Sequence, residues 1–230
     1  MKVVAAGDSF IYGVDLHDCD RSPSQLTWPA LLSNEYVCIA KPGTANDAIT
    51  RAVIDYCENN KPDFVIVQWT FPWRFSLRFV DPIKWYEFDL NVTKDSEYES
   101  TPQLIKPFLK EFYKTAGTTE YWPVYTTLKE ILLLQNYLKS EHIPYLFTAA
   151  HNVIFNSHSV NFDSDKHAQH LYNQIDQNHW YWWPNQEGFY QWAGTNKYMV
   201  GPTQHPLEQA HADAAELIKD KFNELATQYN

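Results

Sequence analysis

The segment from Asp63 to Trp69 reads Asp-Phe-Val-Ile-Val-Gln-Trp, and it restricts the fold more than any other stretch of the chain. A continuous, β-branched apolar run of this length is typical of a parallel strand that is buried on both faces. Shorter apolar runs at residues 2–6 and 36–40 indicate two earlier strands, and apolar side chains at helical spacing indicate helices at 24–34 and 46–59. This alternation predicts βαβ units with right-handed crossovers, and therefore an α/β fold.

The second half of the chain continues the same alternation. Residues 121–141 carry an apolar stripe at helical spacing, and residues 143–150 form a fourth apolar run that predicts a strand. A last helix is expected from Pro206 to about Ala226, because proline is well tolerated at the first helical position. The chain has 230 residues and shows no clear linker, so we expect one domain that spans residues 1–230.

Two irregular stretches interrupt this pattern. Residues 71–120 are too long for a plain connection, so they predict an inserted cap or lid with at least one helix, near residues 103–113. Residues 152–199 form a second insertion that is rich in aromatic residues. Aromatic residues make up 16% of the chain, and runs of adjacent rings cannot all face inward. Some of them are therefore expected to line a cleft or an interface.

Composition excludes several classes of function. The formal net charge of -10 argues against a nucleic-acid partner, which requires basic patches to neutralise phosphates. Three widely spaced cysteines, Cys19, Cys38 and Cys57, indicate free thiols rather than a disulfide framework. The histidines show no spacing typical of a metal site, so no metal or cofactor is expected. No apolar stretch is long enough for a signal peptide or a membrane span, so we expect a cytoplasmic protein with no membrane partner.

The first predicted strand runs directly into Gly7-Asp8-Ser9-Phe10. In open α/β sheets, ligands bind at the carboxyl ends of the strands, so the Ser9 hydroxyl is placed where a nucleophile would lie. The alternative on local sequence is a plain turn in which Ser9 caps a short helix. In either case Asp8 is expected to order this turn through backbone hydrogen bonds.

Three blocks of sequence together resemble the SGNH (GDSL-type) hydrolases. They are Gly7-Asp8-Ser9-Phe10 with Gly13, the segment Lys41-Pro42-Gly43-Thr44-Ala45-Asn46, and His205-Pro206 with His211. The chain looks most like the divergent members found in tailed phages and aquatic bacteria. The resemblance implies a flavodoxin-like, three-layer α/β/α sandwich with a parallel sheet of about five strands. It also implies ester hydrolysis through an acyl-enzyme.

The resemblance further implies roles for three residues. Ser9 would be the nucleophile, and His205 would take its proton and return it to the leaving group. The backbone N–H groups of Ser9 and Gly43 would face the developing oxyanion. For a side-chain donor beside them the sequence offers Asn46, Thr70 and Arg74, and Asn46 is the best candidate because it lies three residues after Gly43. His211 falls on the apolar stripe of the last helix, so a structural histidine is expected there.

The chain departs from the family in two places. The family carries an aspartate two or three residues before its catalytic histidine, whereas this chain has Pro202 and Thr203 there. The candidates for a replacement carboxylate are three acidic residues of the aromatic segment: Asp163, Asp165 and Glu187. The family's oxyanion asparagine aligns with Pro72.

Candidate substrate-binding residues lie around these blocks. They are Trp69, Thr70, Arg74, Trp182 and Trp183. Aromatic side chains beside an esterase site suit sugar rings, so a small-molecule or carbohydrate ester is the expected substrate, with acetyl and other short acyl esters favoured. The competing hypothesis is a binding or structural protein on the same fold with a decayed site, which in a phage would be a virion component with virion partners. The sequence leaves the oligomeric state open.

Overall fold

The computed structural model describes residues 1–80, 83–89, 105–116, 121–156 and 165–228. Its strands and helices follow the predicted order closely. The strands are β1 Lys2–Ala6, β2 Glu35–Cys38, β3 Phe64–Trp69, β4 Arg74–Val80, β5 Ile83–Asp89 and β6 Tyr145–Ala149. The helices are α1 Ser9–Tyr12, α2 Asn46–Asn60, α3 Lys106–Ala116, α4 Tyr121–Ser140, α5 Lys166–Tyr172, α6 Phe189–Thr195 and α7 Glu208–Thr227.

The central sheet has four parallel strands in the order β2-β1-β3-β6. All six residues of β3 are buried, as its continuous apolar sequence predicts. The chain returns to the outer edge of β6 at Trp180, which forms a single parallel bridge to Phe147. The sheet is thus close to the predicted five strands, and an isolated bridge stands where a fifth strand would lie.

Helices cover both faces of this sheet and make the predicted three-layer sandwich. On one face, α2 and α4 pack against β3 and β6, with Val53, Leu128 and Val67 in one buried cluster. On the other face, α7 packs against β1 and β3, with Ile218 and Phe222 close to Phe64. The α/β fold class is therefore confirmed.

The first insertion contains a β-hairpin that the sequence did not predict. Strands β4 and β5 pair antiparallel, from Arg74 opposite Asp89 to Val80 opposite Ile83. Aromatic and charged residues alternate over this stretch, as they do in a strand with one covered face. When the turn between the two strands is not recognised, this alternation resembles an irregular segment. The predicted helix near 103–113 is present as α3. Residues 90–104 and 117–120 of this insertion lie outside the described residues.

The helix predicted at 24–34 is wrong. Only a short 3-10 turn forms there, at Ala30–Leu32, and Trp28 beside it is fully buried against the sheet. The cysteines are all free, as predicted. Among the described ranges, no helix is both long and apolar enough to cross a membrane.

Candidate active site

The turn after β1 presents Ser9 at the carboxyl edge of the sheet. Asp8 caps α1, because its carboxylate accepts the Phe10 N–H at 3.1 Å. The helix has only four residues and closes at Gly13, whose φ of 84° is a left-handed conformation that favours glycine. Ser9 is the first residue of this helix and is 7% exposed. The short helix of the alternative interpretation is present, but its cap is Asp8 and not Ser9. The helix holds Ser9 in a fixed position, and its role as a nucleophile stays a prediction.

The loop before α7 brings His205 to Ser9. Val200 bridges Pro206 across this loop, and the Gly201 N–H donates to the His205 carbonyl at 2.9 Å. This closure holds the imidazole so that its Nε2 lies 2.7 Å from Ser9 Oγ. The two residues are separated by 196 positions in the sequence, and the fold brings them within hydrogen-bond distance.

A carboxylate that the sequence did not predict completes this arrangement. Asp15 Oδ2 accepts hydrogen bonds from the Thr203 hydroxyl at 2.8 Å and from the Thr203 N–H at 2.9 Å. The same Thr203 oxygen lies 2.8 Å from His205 Nδ1. Asp15 Oδ2 is itself 3.5 Å from Nδ1, too far for a good direct hydrogen bond. Thr203 therefore links the imidazole to the carboxylate.

This linkage selects one tautomer of His205. A carboxylate only accepts hydrogen bonds, so the single hydroxyl proton of Thr203 goes to Asp15. The Thr203 oxygen must then accept from Nδ1–H, which leaves the unprotonated Nε2 facing Ser9. This is the tautomer that a general base requires.

Asp15 is ionised in this environment. Burial raises the pKa of its carboxyl, but hydrogen bonds from the Thr203 side chain and backbone and from the His205 N–H outweigh burial and lower the pKa below its ordinary value. The negative charge therefore persists throughout the neutral pH range, linked through Thr203 to the imidazole that would become positive.

Of the three acidic residues expected to replace the family's aspartate, the two that the structure describes are engaged elsewhere. Asp165 caps α5, accepting the N–H groups of His167 and Ala168. Glu187 accepts the Thr195 hydroxyl at 2.8 Å. Asp163 lies outside the described residues. Asp15 was missed because no local pattern marks a carboxylate whose partner is 188 positions away.

The close approach of the Asp15 and His205 loops depends on Gly201. A Cβ at position 201 would lie 2.3 Å from the Asp15 Cβ, which neither backbone can accommodate without moving. We expect Gly201→Ala to lower the unfolding free energy by ~1–3 kcal/mol. It should also lower kcat for the ester hydrolysis that the sequence predicts, because the displaced Asp15 carboxylate loses its hydrogen bonds from Thr203.

Urea unfolding and steady-state kinetics would measure both effects. Gly194→Ala is the matched control, since a Cβ there meets no atom within 4 Å. A Gly201→Ala protein with wild-type stability and wild-type kcat would contradict the proposed dependence on close approach.

Two backbone N–H groups are candidates for the oxyanion site. They belong to Ser9, at the start of α1, and to Gly43, in the turn where the Thr44 N–H donates to the Lys41 carbonyl. Gly43 has a φ of 76°, so the turn favours glycine at this position. Within the described ranges, neither N–H has a hydrogen-bond acceptor.

Asn46 does not join them. Its amide nitrogen donates to the Thr70 carbonyl at 3.2 Å and to the Thr127 hydroxyl at 3.1 Å, and its amide oxygen accepts the Thr70 N–H. Both amide hydrogens are thus used within the protein, and the residue is 2% exposed. The prediction of an oxyanion donor at Asn46 is corrected to a structural role that ties α2 to the end of β3 and to α4.

The β-hairpin supports the loop that contains Gly43. Glu87, on β5, accepts the Ala45 N–H at 2.8 Å and the Thr44 hydroxyl at 3.4 Å. Desolvation raises the pKa of this carboxyl above its ordinary value. The first insertion therefore touches the site from the side of the oxyanion loop.

Thr70 and Arg74 lie beside the nucleophile turn. The Thr70 hydroxyl donates to Asp8 Oδ2 at 2.6 Å, and Arg74 Nη1 donates to the same oxygen at 3.1 Å. Asp8 is fully buried, so this guanidinium supplies the charge partner that a buried carboxylate requires. Both residues thereby hold Asp8 and the Ser9 turn in place, and contact with substrate stays a prediction for them.

Aromatic rings surround the Ser9–His205 pair on its other side. Phe10 packs against His205 with ring centroids 5.1 Å apart and stacks on Tyr190 at 5.4 Å. Phe71 continues this surface, 6.4 Å from Tyr190 and 6.1 Å from His151. A substrate that reaches Ser9 would therefore meet an aromatic wall.

The candidate substrate-binding tryptophans lie in different places. Trp69 and Trp183 are fully buried in the two cores, on opposite faces of the sheet, so the prediction that they contact substrate is wrong. Trp182 is half-buried and lines a surface cleft.

His211 is a structural histidine, as expected. Its Nδ1 accepts the Trp28 N–H at 3.2 Å, and its ring also hydrogen-bonds the Pro206 carbonyl. Burial lowers its pKa to about 3. Across the described part of the chain, no group of three or more histidine, cysteine, aspartate or glutamate side chains is placed to hold a metal ion.

Comparison with known proteins identifies the fold. No protein-family model matches the sequence, and no curated protein matches it significantly. The solved structure of TesA matches 98% of this chain and 99% of its own, with 10% identity and a TM-score of 0.55. The psychrotrophic esterase EstA from Pseudoalteromonas sp. matches 99% of this chain and 97% of its own, at 13% identity and a TM-score of 0.49.

A member of the lipolytic G-D-S-L family from Veillonella parvula matches 98% of this chain and 100% of its own, at 12% identity and a TM-score of 0.47. None of these similarities bears on an origin in a phage, which stays a prediction. The chain has the α/β fold of the SGNH hydrolases.

Proposed function

We propose that this protein is a serine ester hydrolase that acts on short acyl esters and belongs to the SGNH hydrolases. The observation that carries the proposal is the 2.7 Å contact between Ser9 Oγ and His205 Nε2, at the carboxyl edge of a parallel sheet. A serine hydroxyl is a weak nucleophile unless an adjacent base accepts its proton, and this contact supplies that base. The fold shared with TesA supports the same conclusion.

The reaction follows from these positions. Ser9 Oγ attacks the ester carbonyl carbon while its proton passes to His205 Nε2. The carbonyl oxygen becomes negative and faces the N–H groups of Ser9 and Gly43, which stabilise charge that exists only in the transition state. The C–O bond to the alcohol then breaks, and the alcohol leaves with the proton from Nε2. Water repeats these steps on the acyl-enzyme, releasing the acid and restoring Ser9.

Thr203 and Asp15 replace the single aspartate of an ordinary triad in this proposal. When His205 takes the proton from Ser9, Nδ1–H donates to the Thr203 oxygen, and the Thr203 hydroxyl continues to donate its own hydrogen to the Asp15 carboxylate. The negative carboxylate stabilises the imidazolium through this polarised hydroxyl. Asp15, in the loop that follows α1, thereby takes the place of the aspartate that the family carries where this chain has Pro202 and Thr203.

Covalent labelling tests the proposal. A fluorophosphonate should add one phosphonyl group to the wild-type protein at Ser9, detected by intact mass and peptide mapping, and the Ser9→Ala protein should take none. Wild type should also release p-nitrophenol from p-nitrophenyl acetate and slow progressively as the acyl chain lengthens. Absence of label with turnover at the background rate would overturn the proposal and favour a binding protein on this fold.

A further inference from the structure

A cleft of about 380 Å³ opens between the segment after β6, the end of α5 and the chain between residues 177 and 186. We propose that this cleft binds a neutral sugar unit of the ester substrate, with Trp182 as the surface on which the sugar ring stacks. The inference rests on the proposed ester hydrolysis at Ser9, because it names the kind of alcohol that carries the acyl group. The volume lies within the ~300–1,000 Å³ range of small-molecule sites.

The Trp182 indole is held rigidly from behind. It stacks on Trp180 with ring centroids 5.3 Å apart and an interplanar angle of 15°. Phe155 packs edge-on against both indoles, at 5.3 Å from Trp182 and 4.8 Å from Trp180. One face of Trp182 is thereby covered by protein. A flat, preorganised indole that borders a cleft is well suited to the C–H face of a sugar ring, since little side-chain entropy is lost on binding.

Carboxamides make up most of the polar lining of the cleft, and Tyr172 borders it as well. The carboxamides belong to Asn152, Asn156, Gln177 and Gln186. Asn152 is already bound, because its amide donates to the Gln186 carbonyl at 2.9 Å and accepts from Gln191 at 2.9 Å. Among the described residues, the side chains of the other three have no hydrogen-bond partner, so they are available to a ligand.

The carboxamides of the cleft favour an uncharged ligand. Each can both donate and accept, which matches the dual capacity of a sugar hydroxyl. Within the described part of the chain, no charged side chain lines the cleft, whereas a phosphate or carboxylate ligand would require Arg or Lys. An aromatic face combined with uncharged donors and acceptors therefore favours a neutral sugar over an anionic ligand.

The cleft lies on the same edge of the sheet as Ser9. Asn152 follows β6 by three residues, and its N–H donates to Gln191 at 2.7 Å. The residue before Gln191 is Tyr190, whose ring stacks on Phe10, the neighbour of Ser9. A saccharide seated on Trp182 can thus extend along the aromatic wall, so that an acyl group on a further unit reaches the nucleophile.

Binding can be measured without turnover in the Ser9→Ala protein. We would titrate it with neutral xylo-, manno- and gluco-oligosaccharides, free and O-acetylated, and follow saturation-transfer NMR and tryptophan fluorescence. At least one series should bind, and Trp182→Leu and Gln177→Ala should each weaken it by about tenfold, the change expected when one stacking or polar contact is lost. Asn178→Ala is the matched control, because this exposed carboxamide adjoins Gln177 but does not line the cleft. Oligogalacturonates should bind more weakly than the neutral series.

The same variants in the active protein separate this inference from the proposed function. Trp182→Leu should lower the ratio of kcat/KM on the acetylated oligosaccharide to kcat/KM on p-nitrophenyl acetate by about tenfold, whereas Asn178→Ala should not change it. If wild type hydrolyses p-nitrophenyl acetate but no neutral oligosaccharide binds, or if Trp182→Leu binds normally, the sugar site is overturned and ester hydrolysis stands. If oligosaccharides bind through Trp182 but no ester is hydrolysed, the proposed function fails and the sugar site stands.

Discussion

Asp15→Asn is expected to lower kcat for p-nitrophenyl acetate by roughly 10³-fold while the fold is retained. This decrease in kcat lies between two known effects. Removing a partner that orients a metal-binding residue costs ~10–100-fold, and removing the aspartate that hydrogen-bonds the histidine of a Ser-His-Asp triad costs ~10⁴-fold. The introduced amide can donate a hydrogen to the Thr203 oxygen, which frees the threonine proton to turn toward His205 Nδ1. The imidazole would then carry its proton on Nε2 and could not accept the proton of Ser9.

A second substitution should restore activity if the linkage is the cause. In Asp15→Asn/Thr203→Asp, a carboxylate stands two residues before His205, where it can accept from Nδ1–H directly. We expect the double variant to recover at least about tenfold in kcat over Asp15→Asn, and nitrogen NMR of His205 to show the Nδ1–H tautomer again. A role of Asp15 in stability alone would not predict this recovery.

The control for Asp15 is Asp20→Asn, an exposed carboxylate of the same loop, which should leave kcat unchanged. Circular dichroism and thermal unfolding would establish that each variant is folded. If Asp15→Asn keeps kcat close to that of wild type, Ser9 and His205 act as a dyad and the carboxylate is not part of the machinery.

The second large effect is a loss of stability in acid that originates at His211. Burial lowers its pKa to about 3 in the folded protein, whereas an unfolded histidine titrates near ~6.5. Between these values the unfolded state binds a proton that the folded state does not. The stabilisation is therefore fully present above about pH 6.5 and is lost as the pH falls toward 3, at ~1.4 kcal/mol per pH unit and on the order of 4 to 5 kcal/mol in all.

Urea unfolding of wild type and His211→Asn at a series of pH values would isolate this contribution. Asparagine supplies an uncharged acceptor for the Trp28 N–H and does not titrate. The difference in unfolding free energy between the two proteins should shrink by about 1.4 kcal/mol for each pH unit below about 6.5. A difference between wild type and His211→Asn that stays constant with pH would contradict the assignment.

The acid effect also bears on the site. His211 hydrogen-bonds the carbonyl of Pro206, the residue that follows His205. Protonation of this ring would break its contact with the Trp28 N–H and loosen the start of α7. Ester hydrolysis is therefore expected to be lost over the same acidic pH range in which the start of α7 is destabilised.

Local patterns determined the elements that form the scaffold. Three elements could be predicted in this way: the buried strand Phe64–Trp69, the helix Tyr121–Ser140 and the turn at Ser9. Strands, helices and tight turns depend mainly on the types and spacing of neighbouring residues. The hairpin of β4 and β5 was missed, since its alternating aromatic and charged residues resemble an irregular insertion when the turn is not recognised.

Sequence patterns predicted the α/β fold, and the resemblance to the SGNH hydrolases proposed Ser9 and His205 as nucleophile and base. The carboxylate behind the proposed base could be found only in the folded structure, because Asp15 and Thr203 meet through loops 188 positions apart. It likewise decided that Trp69 and Trp183 are core while Trp182 borders a cleft. The physical reason is the same in each case: side-chain partners and burial depend on how distant segments pack, whereas strands and helices arise mainly from the residues within them.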